Sequence, residues 1–306
     1  MTSTIARHKP RPPHRFDPAL QGHKLTITYR GTEFSGWQCQ PGKRTVQECL
    51  ESALEKIWGH KISLQGSGRT DTGVHALGQV ASFNAPRLHA GPVLLRALNA
   101  NLPRDVRIVK CQLVSPAFHA RFDAIGKTYR YLVWHHIVQD PFTVDTHWHV
   151  PRPLDLPAMR RAARCLLGEH DFASFTSNPG YERESKVRIM TRASIAQRGP
   201  VLTFHFSADG FLYRMVRNLV GGLVKVGLGK MSAEDFRRIL HAKSRSEAPA
   251  NAPACGLYLM QVKYPGRVGT RVSSRPKING TAGRSSLQED TVARRMMPTA
   301  GKGRNS

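Results

Sequence analysis

Along residues 24–29, polar Lys24, Thr26 and Thr28 alternate with apolar Leu25, Ile27 and Tyr29. That period of two is the signature of a half-buried strand. A loop punctuated by Gly31 and Gly36 follows, and the spacing then changes. Val46, Cys49, Leu50, Ala53, Leu54, Ile57 and Trp58 recur at helical intervals and mark one apolar face. Thr45 and Glu48 predict a capping box at the start of that helix, and Gly59 predicts its end. Ile62 and Leu64 predict a short strand leading into a glycine-rich loop, 66–76. A strand near 78–84, a helix near 92–99 and a strand near 105–114 complete a first unit, residues 23–115.

A second unit, 116–264, repeats the theme. Tyr129, Tyr131 and Val133 alternate along a strand, and a helix is expected over about 155–167. Strands near 187–197 and 201–207 precede helices at about 211–226 and 232–241, and Leu257 to Val262 read as a last strand. Two sheet-plus-helix subdomains predict an α+β fold, with the cleft between them as the natural place for a site.

Composition adds a partner. The 306 residues carry 46 Lys and Arg against 21 Asp and Glu, a formal charge of +25. Residues 1–22 hold +3 of this and residues 265–306 hold +7, which leaves +15 on residues 23–264. The cleft is therefore expected to be basic, and its partner a polyanion: nucleic acid or an acidic membrane surface. Both ends lack apolar periodicity and are expected to be disordered tails, the second one basic. Five cysteines without a CxxC pair suit free thiols in a reducing compartment. No signal peptide and no run approaching the ~20 apolar residues of a membrane span is visible, so a cytoplasmic protein is expected.

The chemistry concentrates in Gly66-Ser67-Gly68-Arg69-Thr70-Asp71-Thr72-Gly73-Val74-His75-Ala76. Three glycines around one carboxylate allow a ligand close to the backbone. Local composition equally fits an Asp in an ordinary turn, paired with Arg69 for surface stability. No phosphate-cradling spacing is met. On the predicted helix 211–226, Leu212, Val216, Leu219, Val220, Leu223 and Val224 mark the buried face. Arg217 lies about a quarter-turn off its middle, where it can pair bidentately with a partly buried carboxylate or snorkel to water. Gly221 and Gly222 fall on the other side, where a second element can pack closely.

Residues 68–76 resemble the catalytic motif of the TruA family of tRNA pseudouridine synthases. Tyr29 to Gln40, Ala120-Arg121-Phe122, Lys127 to Tyr131, Gly168 to Phe172, Gly210 to Asn218 and Ala254 to Leu259 are similar to further family segments in the expected order, covering about 24–264. One departure is Arg30, where the family usually has Asp. The resemblance implies isomerisation of uridine to pseudouridine at positions 38–40 of the tRNA anticodon stem-loop. It also implies a homodimer with no metal and no organic cofactor.

By that resemblance Asp71 is the nucleophile, with Arg217 as the cation that keeps its carboxylate charged against desolvation. Tyr129 is the residue whose ring stacks on uracil and whose hydroxyl relays the C5 proton; judged alone, a Tyr alternating with Tyr131 and Val133 is more often core. Arg69 contacts RNA and assists extrusion of the base, or pairs with Asp71. Leu257 offers an apolar surface to the base, or packs in the core. Arg121, Lys127, Arg130, Arg183, Lys186, Arg188, Arg214 and Lys225 are candidates for phosphate contacts. His75, His135-His136 and His147-Trp148-His149 lack a carboxylate or cysteine at metal-ligand spacing, and His170-Asp171 read as a turn or helix cap. Two other functions compete: a non-catalytic RNA-binding module on the same scaffold, and a glycoside or nucleoside hydrolase, which usually needs a second carboxylate.

Overall fold

In the computed structural model the structure describes residue 17 and residues 19–86, 91–177, 185–244, 246 and 250–265. The expected tail, from 266 onward, and most of the expected lead-in, 1–22, lie outside the described residues, as does Arg183. The first half runs β1 (Gln21–Tyr29), α1 (Val46–Trp58), β2 (Gln65–Gly66), β3 (His75–Ala85), α2 (Gly91–Asn101) and β4 (Val106–Val114). The second runs β5 (Gly126–Trp134), β6 (Trp148–His149), α3 (Leu156–Arg164), β7 (Gly168–Asp171), β8 (Val187–Arg198), β9 (Val201–Ala208), α4 (Met215–Gly227), α5 (Ala233–Ala242) and β10 (Leu257–Lys263).

The α+β class is as expected, and the two halves share one sheet. Its main path is β4-β1-β3-β10-β5-β9-β8-β7, with β2 on β3 and β6 on β5. The last strand closes the seam: β10 lies parallel to β3, Tyr258 opposite His75, and antiparallel to β5, Leu257 opposite Tyr131. Residues directly opposed on neighbouring strands share a face. Leu257 and Leu259 therefore line up with Tyr131 and Tyr129 on β5, which in turn oppose Phe204 and Phe206 on β9. All six are buried, whereas Arg130 and Leu132 between them face the other way and are partly exposed.

Several local expectations need correction. Thr45 caps α1 by accepting from the Glu48 N–H, but the reciprocal bond of the capping box is not formed. The complete box occurs instead on α5, between Ser232 and Asp235. Ile62 and Leu64 are buried without being a strand. Side chains from α1 satisfy that backbone: Glu51 Oε1 accepts from Leu64 N–H at 3.0 Å, and Gln47 Nε2 donates to Leu64 O at 3.3 Å. His170 and Asp171 belong to the edge strand β7, although the Asp171 carboxylate does accept from Ala173 N–H at its end. Helix α4 begins four residues late, because Arg214 holds a left-handed conformation (φ 56°) that a helix cannot include. Gly221, on its far side, passes so close to Ala250 O that a Cβ would overlap it.

One buried group sets a pH response. His23 on β1 is 1% exposed, stacks on Phe83 at 4.7 Å and meets the Trp58 edge. Neither ring nitrogen has a hydrogen-bond partner among the described residues, and burial holds its pKa down to about 4. The unfolded chain, with a pKa near ~6.5, binds this proton more readily, so stability is intact above that value and falls as pH drops toward 4. This one group should cost about 2 kcal/mol between pH 7 and pH 4.5. Replacing it with an apolar ring, His23→Phe, should remove that share of the loss in urea unfolding at the two pH values. Parallel losses in parent and variant would refute the assignment.

Candidate active site

The glycine-rich loop sits at the seam, immediately before β3, and is tied down along its length. Lys127 Nζ donates to Ser67 O at 2.9 Å, and Gln79 Nε2 to Gly68 O at 2.9 Å. Tyr29 Oη and Thr70 Oγ1 are 2.8 Å apart, and Trp37 N–H donates to Thr70 O at 3.1 Å. A tight turn follows, closed by Val74 N–H on Asp71 O at 3.1 Å. Its third position takes φ 77°, which glycine alone adopts without strain, and Gly73 stands there. The turn presents the Asp71 side chain, which remains one-fifth exposed.

Two guanidinium groups face that carboxylate. Arg217, in the first turn of α4 and only 14% exposed, donates from Nη1 to Asp71 Oδ2 at 3.0 Å. The pair uses one nitrogen rather than the expected two, and Arg217 Nε donates separately to Ala252 O at 2.8 Å. The Ala252 N–H in turn donates to Arg217 O at 3.0 Å, which fixes the residue at both ends. Arg214 Nε lies 3.8 Å from the same Oδ2. Asp71 Oδ1 has no hydrogen-bond or ion-pair partner among the described residues, so the carboxylate offers one anchored oxygen and one free one.

Tyr129 on β5 is buried, with its ring edge-on to Phe211 at 4.9 Å. Burial pushes its hydroxyl well above the usual range, with the charges of Tyr29 and Asp71 adding to the effect. It therefore stays protonated at any ordinary pH, as a proton donor. No side-chain or backbone group among the described residues hydrogen-bonds that hydroxyl. Leu257 is buried at the start of β10, one cross-strand pair removed from Tyr129, whose direct partner is Leu259. Arg69 is exposed, and the ion pair with Asp71 that the sequence left open does not form. The structure thus joins Asp71 to Arg217, sets Tyr129 and Leu257 on one face of adjacent strands, and leaves Arg69 at the rim.

Two features escaped the sequence. Arg214 was visible there only as one basic residue among many, since periodicity cannot report a left-handed cap. His75 turns out to be a buckle across the seam. Its Nδ1 accepts from Gly31 N–H at 2.9 Å, so the proton resides on Nε2, which faces Asp145 O at 3.1 Å and Cys255 O at 3.0 Å. Burial lowers its pKa and keeps it neutral, stacked on Tyr258 at 4.6 Å. Nearby, Arg30 pairs with Asp145 at 2.7 Å. His135, His136 and His149 likewise bond to backbone carbonyls.

Relatives carry the same chain plan. A model of the tRNA pseudouridine synthase family matches residues 25–123 and 162–265. The tRNA pseudouridine synthase A of Methylacidiphilum infernorum is 51% identical over 247 residues, covering 81% of this chain and 97% of that protein. Its counterpart in Solidesulfovibrio magneticus is 47% identical, over 80% and 93%. That in Geobacillus kaustophilus is 46% identical, over 79% and 93%. With a family match across most of the chain, and half the residues shared with one relative over nearly its full length, this chain belongs to the tRNA pseudouridine synthase family.

Proposed function

We propose that the chain isomerises uridine to pseudouridine in the anticodon stem-loop of tRNA, at positions 38–40, with Asp71 as nucleophile. The observation that carries this reading is the divided carboxylate, with Oδ2 held by Arg217 and Oδ1 without a partner among the described residues. The reaction breaks the bond from ribose C1′ to uracil N1, turns the base and joins C1′ to C5. The C5 proton leaves, N1 ends protonated, and no atom or electron is gained overall. What the protein must supply is an ionised group at the reacting carbon and a pocket for the detached base. Attack on the sugar or base, or removal of a ribose proton, begins at Oδ1.

The remaining roles follow from position. Tyr129, protonated and within electrostatic reach of Asp71, relays the C5 proton by passing on its own as it takes that one, while its ring holds the base. Leu257 contributes apolar surface on the same sheet face. Arg69, exposed on the loop, meets RNA and fills the space of a base drawn out of its stem. The excess positive charge of residues 23–264 supports a polyanionic substrate. No helix among the described residues is long and apolar enough to cross a membrane. The enzyme works on tRNA in the cytoplasm as a homodimer, with no metal or organic cofactor in its mechanism. An apolar patch supports pairing with a second copy: Ile137 is 76% exposed and Phe142 94%, with Val138 and Val144 beside them in sequence.

Mapping pseudouridine on unmodified tRNA after incubation tests the central claim. The parent should modify the anticodon arm, and Asp71→Asn should give no product while retaining RNA binding. Full activity of Asp71→Asn would remove Asp71 from its role, and binding without product from the parent would favour the non-catalytic module. Release of free uracil would instead indicate hydrolysis. For the assembly, light scattering should give twice the chain mass for the parent and a shift toward monomer for Phe142→Glu. A monomeric parent would contradict the dimer.

A further inference from the structure

We propose that Arg214 is a substrate-positioning residue, whose guanidinium holds the phosphodiester of the target nucleotide beside Asp71. The proposal rests on the reading of Asp71 as the group that meets that nucleotide, and adds what lets two anions come together. A nucleotide delivered to Asp71 brings its own negative phosphate within a few ångströms of the carboxylate. A cation must stand between them. Arg217 is committed, with Nη1 on Asp71, Nε on Ala252 O and only 14% of its side chain exposed. Arg214 is not. Its Nε sits 3.8 Å from Oδ2, beyond hydrogen-bond reach, and 39% of the side chain is exposed. The guanidinium fork therefore keeps donors for an oxyanion while its charge still faces Asp71.

Its backbone is held in place. Arg214 and Lys243 are the only non-glycine residues with positive φ among the described residues. Such a conformation persists when surrounding contacts impose it. On one side Tyr213 O accepts from Ser177 N–H at 3.1 Å and from Thr176 Oγ1 at 3.3 Å. On the other, Arg214 O accepts from Asn218 N–H at 3.0 Å as the first bond of α4. The guanidinium lies 4.9 Å from the Tyr213 ring centroid, a cation–π contact. An ordinary helical residue at 214 would point its side chain elsewhere, away from the carboxylate.

The test uses Arg214→Asn, which tolerates the left-handed backbone while removing the charge, and Arg214→Lys, which keeps a charge. With unmodified tRNA transcript, Arg214→Asn should raise KM about tenfold and leave kcat within about twofold of the parent. The slope of log binding constant against log salt should become shallower by roughly 0.7–0.9, the share of one phosphate contact. Arg214→Lys should recover most of both. A merely structural role would lower folding stability without moving the salt slope. Parent values of KM and slope in Arg214→Asn would overturn the proposal, as would a fall in kcat alone. Repeating the salt titration in the Asp71→Asn background separates the two readings. The slope change reports Arg214 there, whether or not Asp71 proves to be the nucleophile.

Discussion

A carboxylate in a partly enclosed site is steadied by a cation that is itself fixed in place. Here that cation is Arg217, and most of the architecture serves to keep it 3.0 Å from Asp71. Removing one partner of such a pair leaves an uncompensated charge, which is far more costly than never having built the pair. Arg217 is anchored separately through Ala252, and the pair itself is single-pronged. One donor is spent on fixing the side chain, and the fixed side chain then fixes the carboxylate. Both nearby guanidinium groups approach the same oxygen, and the other has no partner among the described residues.

That geometry depends on a long-range connection. Asp71 belongs to the first half of the chain and Arg217 to the second, and Ala252 lies five residues before β10. Only the return of β10 between β3 and β5 brings all three together. His75 secures the same seam from the motif side, with bonds to Gly31, Asp145 and Cys255. The motif therefore contains two kinds of residue. Arg69 is exposed and Asp71 partly so, whereas Gly73 and His75 shape and fasten the loop. The buried face behind them supplies Tyr129 and Leu257 from neighbouring strands, so the base would meet rigid elements rather than a mobile loop.

Much of this was legible in the chain itself. The apolar periodicity of α1, β1, β5 and β9 locates those elements to within a few residues, because each buries one face against the same core. The Asp71 segment and the position of Arg217 on its helix were likewise readable, the first through a family resemblance. What remained hidden has physical causes. Strands β6 and β7, of two and four residues, are too short to show a period. The Ile62–Leu64 segment is apolar and buried, but side chains of α1 satisfy its backbone in place of a ladder. The β3–β10 pairing joins residues some 180 positions apart, and no local pattern encodes it. Arg214 could be read only as one phosphate-contact candidate among several, because its left-handed backbone and its place beside Asp71 leave no periodic signal.

The account is tested most directly by following tritium released from C5-labelled uridine in tRNA under single-turnover conditions, with Arg217→Met beside the parent. Asp71 is intact in this variant, and only the cation that holds it is gone. If the ion pair is what makes the carboxylate competent, release should slow by roughly a hundredfold or more while tRNA affinity stays near that of the parent. Release at the parent rate from a folded Arg217→Met protein would contradict it.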